Sequence, residues 1–197
     1  PTFQITDGKA GKCLSLVTRS TGFFGQIAGM PIAAGNLFIG SFDVNNAMSN
    51  PLKATKFGLP FRHVPTYLAG YYKYKAGDQF TEGGKPVNGK RDICDIYAIM
   101  YETSESVPTL DGTNAFTSPN LISTARINNA KETNEWTYFK LPFTTLPGKF
   151  IDKEKLMDGK YNIAIVFTSS LEGDHFNGAI GSTLLIDEAE LIYHSED

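Results

Sequence analysis

The chain offers three kinds of side chain that could do chemistry: paired carboxylates, scattered histidines and a dense set of aromatic rings. Acid–base cleavage of a glycosidic bond needs two carboxyl groups about 5 to 9.5 Å apart. Glu188 and Glu190 meet that spacing by standing two residues apart on one expected strand, and they are the catalytic candidates if the chain is a hydrolase. Asp92 with Asp95, and Glu172 with Asp174, are no better supported. A spacing so easily met does not separate a dyad from the solvated face of a strand. His63, His175 and His194 show no ligand-like spacing. G-x-S-x-G, the P-loop and G-x-G-x-x-G are all absent, so nucleophile-elbow and phosphate-cradle chemistry have no motif to stand on.

Asp187 is a different kind of carboxylate. In the run Leu184-Leu185-Ile186-Asp187-Glu188-Ala189-Glu190-Leu191-Ile192-Tyr193 it shares strand parity with Leu185, Ala189, Leu191 and Tyr193. If that face is the core, its charge must be bonded, paired or bound to a cation, because an isolated buried charge is very costly. A hard oxygen ligand suits Ca²⁺. Backbone amides of a neighbouring loop would satisfy it as well.

The rings need a scaffold. Residues 65–78, with four tyrosines in eight positions, read as one long strand that ends in a Gly-Asp turn, because broad rings pack well on a pleated surface. Alternation puts Leu68, Gly70, Tyr72 and Tyr74 on one face, and Tyr67, Ala69, Tyr71, Lys73 and Lys75 on the other. The lysines assign the second face to solvent. The same reasoning puts Asp95, Tyr97 and Tyr101 of strand 92–102, and Trp136 and Tyr138 of strand 135–145, on non-core faces. Flat rings stack on the apolar faces of sugars, while Lys and Asp bind hydroxyls. The alternative is that a further layer of chain covers these faces and the rings fill a second core. The candidate platform is Tyr67, Tyr71, Tyr97, Trp136 and Tyr138, with Lys73 and Asp95 as polar partners.

The rest of the chain follows the same texture of short strands and turns. Strands are expected at 12–19, 36–42, 53–57, 121–127, 161–169 and 183–193. Residues 22–35 read as an excursion that packs Phe23, Phe24 and Ile27. Residues 43–51 and the long stretch 104–119 read as loops. Asp152 starts the one helix, at 152–157. About nine strands and one short helix make an all-β jelly-roll sandwich, one domain over residues 1–197.

A net charge of −3, from 18 basic and 21 acidic residues, leaves no electrostatic footprint for nucleic acid. No apolar run approaches the roughly 20 residues of a membrane helix, so direct insertion by this domain is not expected. Cys13 and Cys94 lack metal or CxxC spacing and read as two buried thiols, with one long-range disulfide as the alternative.

Several blocks resemble one family, in order and over nearly the whole chain: AAGNLFIGSFD (33–43), KFGLPF (56–61), PTYLAGYYKYKAGD (65–78), DICDIYAIMYE (92–102), WTYFKLPF (136–143) and GDHFNGAIGSTLLIDEAELIY (173–193). They look like the putative carbohydrate metabolism domain. The resemblance implies a galactose-binding-like jelly roll, forming the C-terminal part of a longer exported protein (periplasmic, surface or extracellular, in some cases lipid-anchored) of carbohydrate-degrading gut bacteria. It also implies an oligo- or polysaccharide partner and, by analogy with related modules, a structural Ca²⁺ at Asp187. It brings no catalytic residue with it. The resulting expectation is a non-catalytic carbohydrate-binding module, with a glycoside hydrolase or a structural domain docking its neighbour as alternatives.

Overall fold

The computed structural model describes residues 2–45 and 47–194. Ten strands carry the two main sheets: β1 (Thr2–Gly8), β2 (Gly11–Val17), β3 (Asn36–Phe38), β4 (Tyr67–Lys75), β5 (Asp95–Glu102), β6 (Leu121–Arg126), β7 (Thr133–Pro142), β8 (Thr144–Thr145), β9 (Tyr161–Thr168) and β10 (Thr183–Ile192). All pairings are antiparallel. The first sheet runs β1-β2-β10-β4-β7, and the second runs β8-β6-β5-β9-β3 with Leu59–Pro60 added beside β9. The fold is the expected all-β jelly-roll sandwich, but with more strands than nine, because short ladders such as Phe80–Glu82 with Gly178–Ala179 are too brief to show a period.

The tyrosine strand β4 sits inside the first sheet, between β10 and β7. Its apolar parity is the one the sequence prescribes. Leu68, Tyr72 and Tyr74 face inward and meet Leu16, Leu184 and Ile186 of the same sheet and Ile96, Ala98 and Phe167 of the second. Gly70 belongs to this face for a steric reason: a Cβ there would lie 2.8 Å from the Phe139 ring of β7, so the ring occupies the space a side chain would need.

The second sheet is covered on both sides. Every residue of β5 except Glu102 is buried. Ile96 and Ala98 belong to the central core, whereas Tyr97, Ile99 and Tyr101 pack outward against Phe57, Leu110 and Ala115. The long loop around Leu110 lies on this face because Phe57 bridges to Leu110 and the buried Tyr101 hydroxyl ties the parts together. That hydroxyl donates to the Phe57 carbonyl and accepts from the Leu110 N–H and the Asn162 amide. Tyr101→Phe strands these groups without changing shape, so it should cost about 2 kcal/mol and lower Tm by roughly 4–8 °C; scanning calorimetry of the two proteins checks this.

Among the described residues three α-helices form rather than one: α1 (Gly22–Ile27), α2 (Pro51–Ala54) and α3 (Lys153–Met157). The third has its N-cap at Asp152, whose side chain accepts from the Lys155 N–H as expected. The first departs from expectation. Phe23, Phe24 and Ile27 do not pack inward; Phe24 is 84% exposed, and no residue of α1 is buried. Cys13 and Cys94 are both buried and free. Their strands belong to different layers, β2 in the first sheet and the approach to β5 in the second.

Candidate saccharide site

The outer face of the second sheet holds a cleft of ≈ 630 Å³. Its floor comes from Asp95 and Tyr97 of β5, Arg126 of β6 and Val166 and Thr168 of β9. Its walls come from segments outside the sheet: Phe42 and Phe57 of a short two-stranded ladder on one side, Ala115 and Phe116 on another, and Asp174 and Phe176 at a third. Antiparallel register makes the floor. Tyr97 stands directly opposite Arg126, and Asp95 is two residues back on the same face of β5.

The polar centre is an ion pair. Arg126 Nε donates to both Asp95 oxygens at 3.2 and 3.0 Å, and Nη2 donates to Oδ2 at 2.6 Å. Asp95 is buried, while Arg126 reaches the surface. Burial pushes the Asp95 carboxyl up from the usual carboxylate range, and the guanidinium hydrogen bonds pull against that rise. Burial likewise raises the Tyr97 phenol. Aromatic rings bracket the guanidinium: its carbon is 4.3 Å from the Phe116 centroid and 5.6 Å from that of Tyr97, and these two rings lie 4.9 Å apart. With Nε and Nη2 spent on Asp95, the Nη1 N–H groups are left to donate to a ligand. The arrangement is a fixed, flat donor set within an apolar enclosure, which suits hydroxyl-rich rings with apolar faces.

The seven expected binding residues therefore do not form one platform. Asp95 and Tyr97 lie in this cleft, and Tyr97 is only 7% exposed because loops cover the outer face of β5. Tyr67, Tyr71, Lys73, Trp136 and Tyr138 lie on the outer face of the first sheet, across the sandwich core. There Tyr71 and Tyr138 are opposite one another on β4 and β7, with ring centroids 5.1 Å apart, and Tyr138 is 49% exposed. Lys73 Nζ is 5.2 Å from the Trp136 ring centroid.

The similarity to known proteins adds the missing context. The putative carbohydrate metabolism domain matches residues 1–192. The chain belongs to that family. Two solved structures of similar proteins are described as putative glycoside hydrolases. The one from Bacteroides thetaiotaomicron is 88% identical over 100% of this chain, with a TM-score of 0.98. The one from Bacteroides vulgatus is 50% identical over 98% of this chain, with a TM-score of 0.93. This chain spans 57% of the first and 77% of the second. No functionally curated protein matches it. Membership in a carbohydrate-related family agrees with the chemistry of the cleft.

Within that family fold Glu188, Glu190 and Asp187 are separate from the cleft. Glu188 and Glu190 are exposed at a bulge in β10, and neither lines the cleft. Glu188 adopts a left-handed φ of 48°, which breaks the alternation that had set the two on one strand face. The bulge also separates Asp187 from Leu191, which strict alternation had set on one face. Leu184 and Ile186 face the core before the bulge, Leu191 packs on it afterwards, and Asp187 points to the outer side. Its Oδ2 accepts from the Ala10 N–H at 3.0 Å and its Oδ1 from the Glu188 N–H at 2.9 Å. Among the described residues, no group of three or more His, Cys, Asp or Glu side chains gathers where a metal ion could sit. His175 Nδ1 lies 2.7 Å from Asp174 Oδ1 at the cleft margin. Sequence reasoning missed Arg126 and Phe116, and considered Asp174 only as a partner of Glu172. Arg126 had a faint signal: an isolated arginine closes the apolar run of β6, as an isolated aspartate opens that of β5.

Proposed function

We propose that the chain is a non-catalytic saccharide-binding module whose site is the cleft over β5 and β6. The observation that carries this reading is the Asp95–Arg126 pair set among Tyr97 and Phe116. It supplies directional hydrogen bonding next to ring faces while keeping its only buried carboxylate bound to a guanidinium. The module serves as one part of a longer exported glycan-handling protein, a reading supported by the greater length of its B. thetaiotaomicron relative.

Titration calorimetry against a panel of neutral and acidic oligosaccharides tests the proposal. At least one should bind with a heat that saturates at one site, and no reducing ends should be released. Phe116→Ala, which removes a partly exposed ring, should weaken that ligand about tenfold (about 1.4 kcal/mol) with little change in Tm. A panel without any binder would remove the reading.

A hydrolytic reading has one observation on its side, the description of the two similar structures as putative glycoside hydrolases. Among the described residues, the cleft lining contains two carboxylates, Asp95 and Asp174. A hydrolase here would have to use Asp174, since Asp95 is tied to Arg126. Turnover of a chromogenic glycoside that disappears in Asp174→Asn would establish it over simple binding.

A further inference from the structure

The outer face of the first sheet has a chemistry of its own. Three aromatic rings there each carry a lysine. Lys9 Nζ is 4.4 Å from the Tyr71 centroid, Lys73 Nζ is 5.2 Å from that of Trp136, and Lys140 Nζ is 4.3 Å from that of Tyr67. These pairs come from three different parts of the chain: the β1–β2 turn, β4 and β7. We infer that this face is a second binding site, independent of the cleft, for a strand of anionic polysaccharide.

Register and charge carry the inference. Tyr71 opposes Tyr138, Ala69 opposes Lys140 and Tyr67 opposes Pro142, so rings and lysines alternate across neighbouring strands. From Tyr67 to Lys73 the strip runs six residues, about 20 Å at about 3.3 Å per residue, which is long enough for several sugar rings. Lys75 extends it on the same parity and is exposed. Two carboxylates flank the strip on β10: Asp187 opposite Tyr71, with both oxygens accepting backbone N–H bonds, and Glu190 opposite Ala69. Glu188 is exposed in the bulge between them, and Asp7 is exposed in β1. Lys9, Lys73, Lys75 and Lys140 present four ammonium groups along this face, each able to pair with a carboxylate or sulfate group. Rings between the charges give such a polymer stacking surfaces that a merely basic patch lacks. Saccharide is favoured over single-stranded nucleic acid, which uses the same two elements, by the family to which the chain belongs. The inference rests on that membership and not on the cleft.

Affinity electrophoresis of the 197-residue chain in gels containing polygalacturonate, dextran sulfate or neutral dextran tests it. Both acidic polymers should retard the protein, less so as salt rises, and neutral dextran should not; the stronger retardation names the preferred anion. Lys73→Gln with Lys140→Gln should weaken retention about tenfold. Tyr71→Ala and Trp136→Ala should do so too while leaving charge unchanged, with far-ultraviolet circular dichroism confirming that they fold. Lys153→Gln, in α3 off the strip, should have no effect. Arg126→Ala should leave retention unchanged even where it abolishes cleft binding, so the two sites fail separately. The inference is overturned by equal retardation in neutral dextran, by ring variants that behave as the parent (simple ion exchange), by loss of retention in Arg126→Ala, or by tighter retention of single-stranded DNA than of either polysaccharide.

Discussion

Asp92→Ala should be the most damaging single substitution in the chain, costing about 4 kcal/mol and lowering Tm by roughly 8–16 °C. Asp92 is 2% exposed, and among the described residues its donors are all uncharged. Its Oδ2 accepts from Ser170 Oγ at 2.6 Å, Ser182 Oγ at 2.7 Å and the Ala179 N–H at 2.8 Å, and its Oδ1 accepts from the Ile93 N–H. The network goes further. Ser170 Oγ meets Thr18 Oγ1, which meets Ser169 Oγ, and that oxygen accepts the Gly35 N–H; Ser182 Oγ accepts the Gly77 N–H. One carboxylate thus anchors loops from both sheets, and its removal leaves several buried donors without an acceptor. Such a network is worth more intact than the sum of its pairs.

The pH dependence has a definite sign. Burial raises the Asp92 carboxyl above its ordinary value, against the pull of its donors. A raised native pKa means that the native state binds the proton more readily than the unfolded chain. The resulting contribution is fully present below the unfolded value of about 3.9 and fades as pH rises through the native one. The stability gap between the parent and Asp92→Ala should therefore be wider at pH 4 than at pH 7. Urea unfolding of both proteins at the two pH values measures it, and a gap that narrows on acidification would refute the assignment.

Arg126→Ala should have the largest functional effect: saccharide binding in the cleft weakened at least about a hundredfold (about 2.7 kcal/mol), as expected for losing charge-assisted donors. It should also destabilise the fold, because Asp95 then remains buried without its partner. Breaking a buried pair on one side costs up to about 3–5 kcal/mol, and the exposure of Arg126 places this case toward the lower end. Asp95→Ala with Arg126→Ala should recover part of that stability and none of the binding, because removing both partners leaves no orphaned charge. Calorimetric titration and thermal unfolding of the three proteins separate the two effects. Lysine at position 126 should rescue stability better than affinity, since a point charge cannot reproduce the two-pronged contact. Binding that survives in Arg126→Ala would move the site elsewhere.

How far the sequence reaches can be seen strand by strand. The alternation in β4 correctly divided Leu68, Tyr72 and Tyr74 from Tyr67, Tyr71 and Lys73, because a period of two is a local property of the pleat. The same rule failed in β10. A bulge inserts a residue at Glu188 and reverses the faces beyond it, and neither Asp187 nor Glu188 looks unusual in the sequence. It was incomplete in β5. Parity identified Tyr97 and Asp95 as non-core, but not that Leu110, Ala115 and Phe116 would fold over them.

The amino-acid sequence by itself determined the all-β class, the family, the core face of the central strands and the kinds of side chain available to meet a sugar. Only the tertiary structure decided which of those side chains meet. Asp95 and Arg126 are 31 residues apart in the chain and are brought together by antiparallel register between β5 and β6. Tyr71 and Tyr97, alike in sequence context, end on opposite layers of the sandwich. Strand parity is set by neighbouring residues, whereas strand order and loop cover are set by long-range packing that no local pattern encodes.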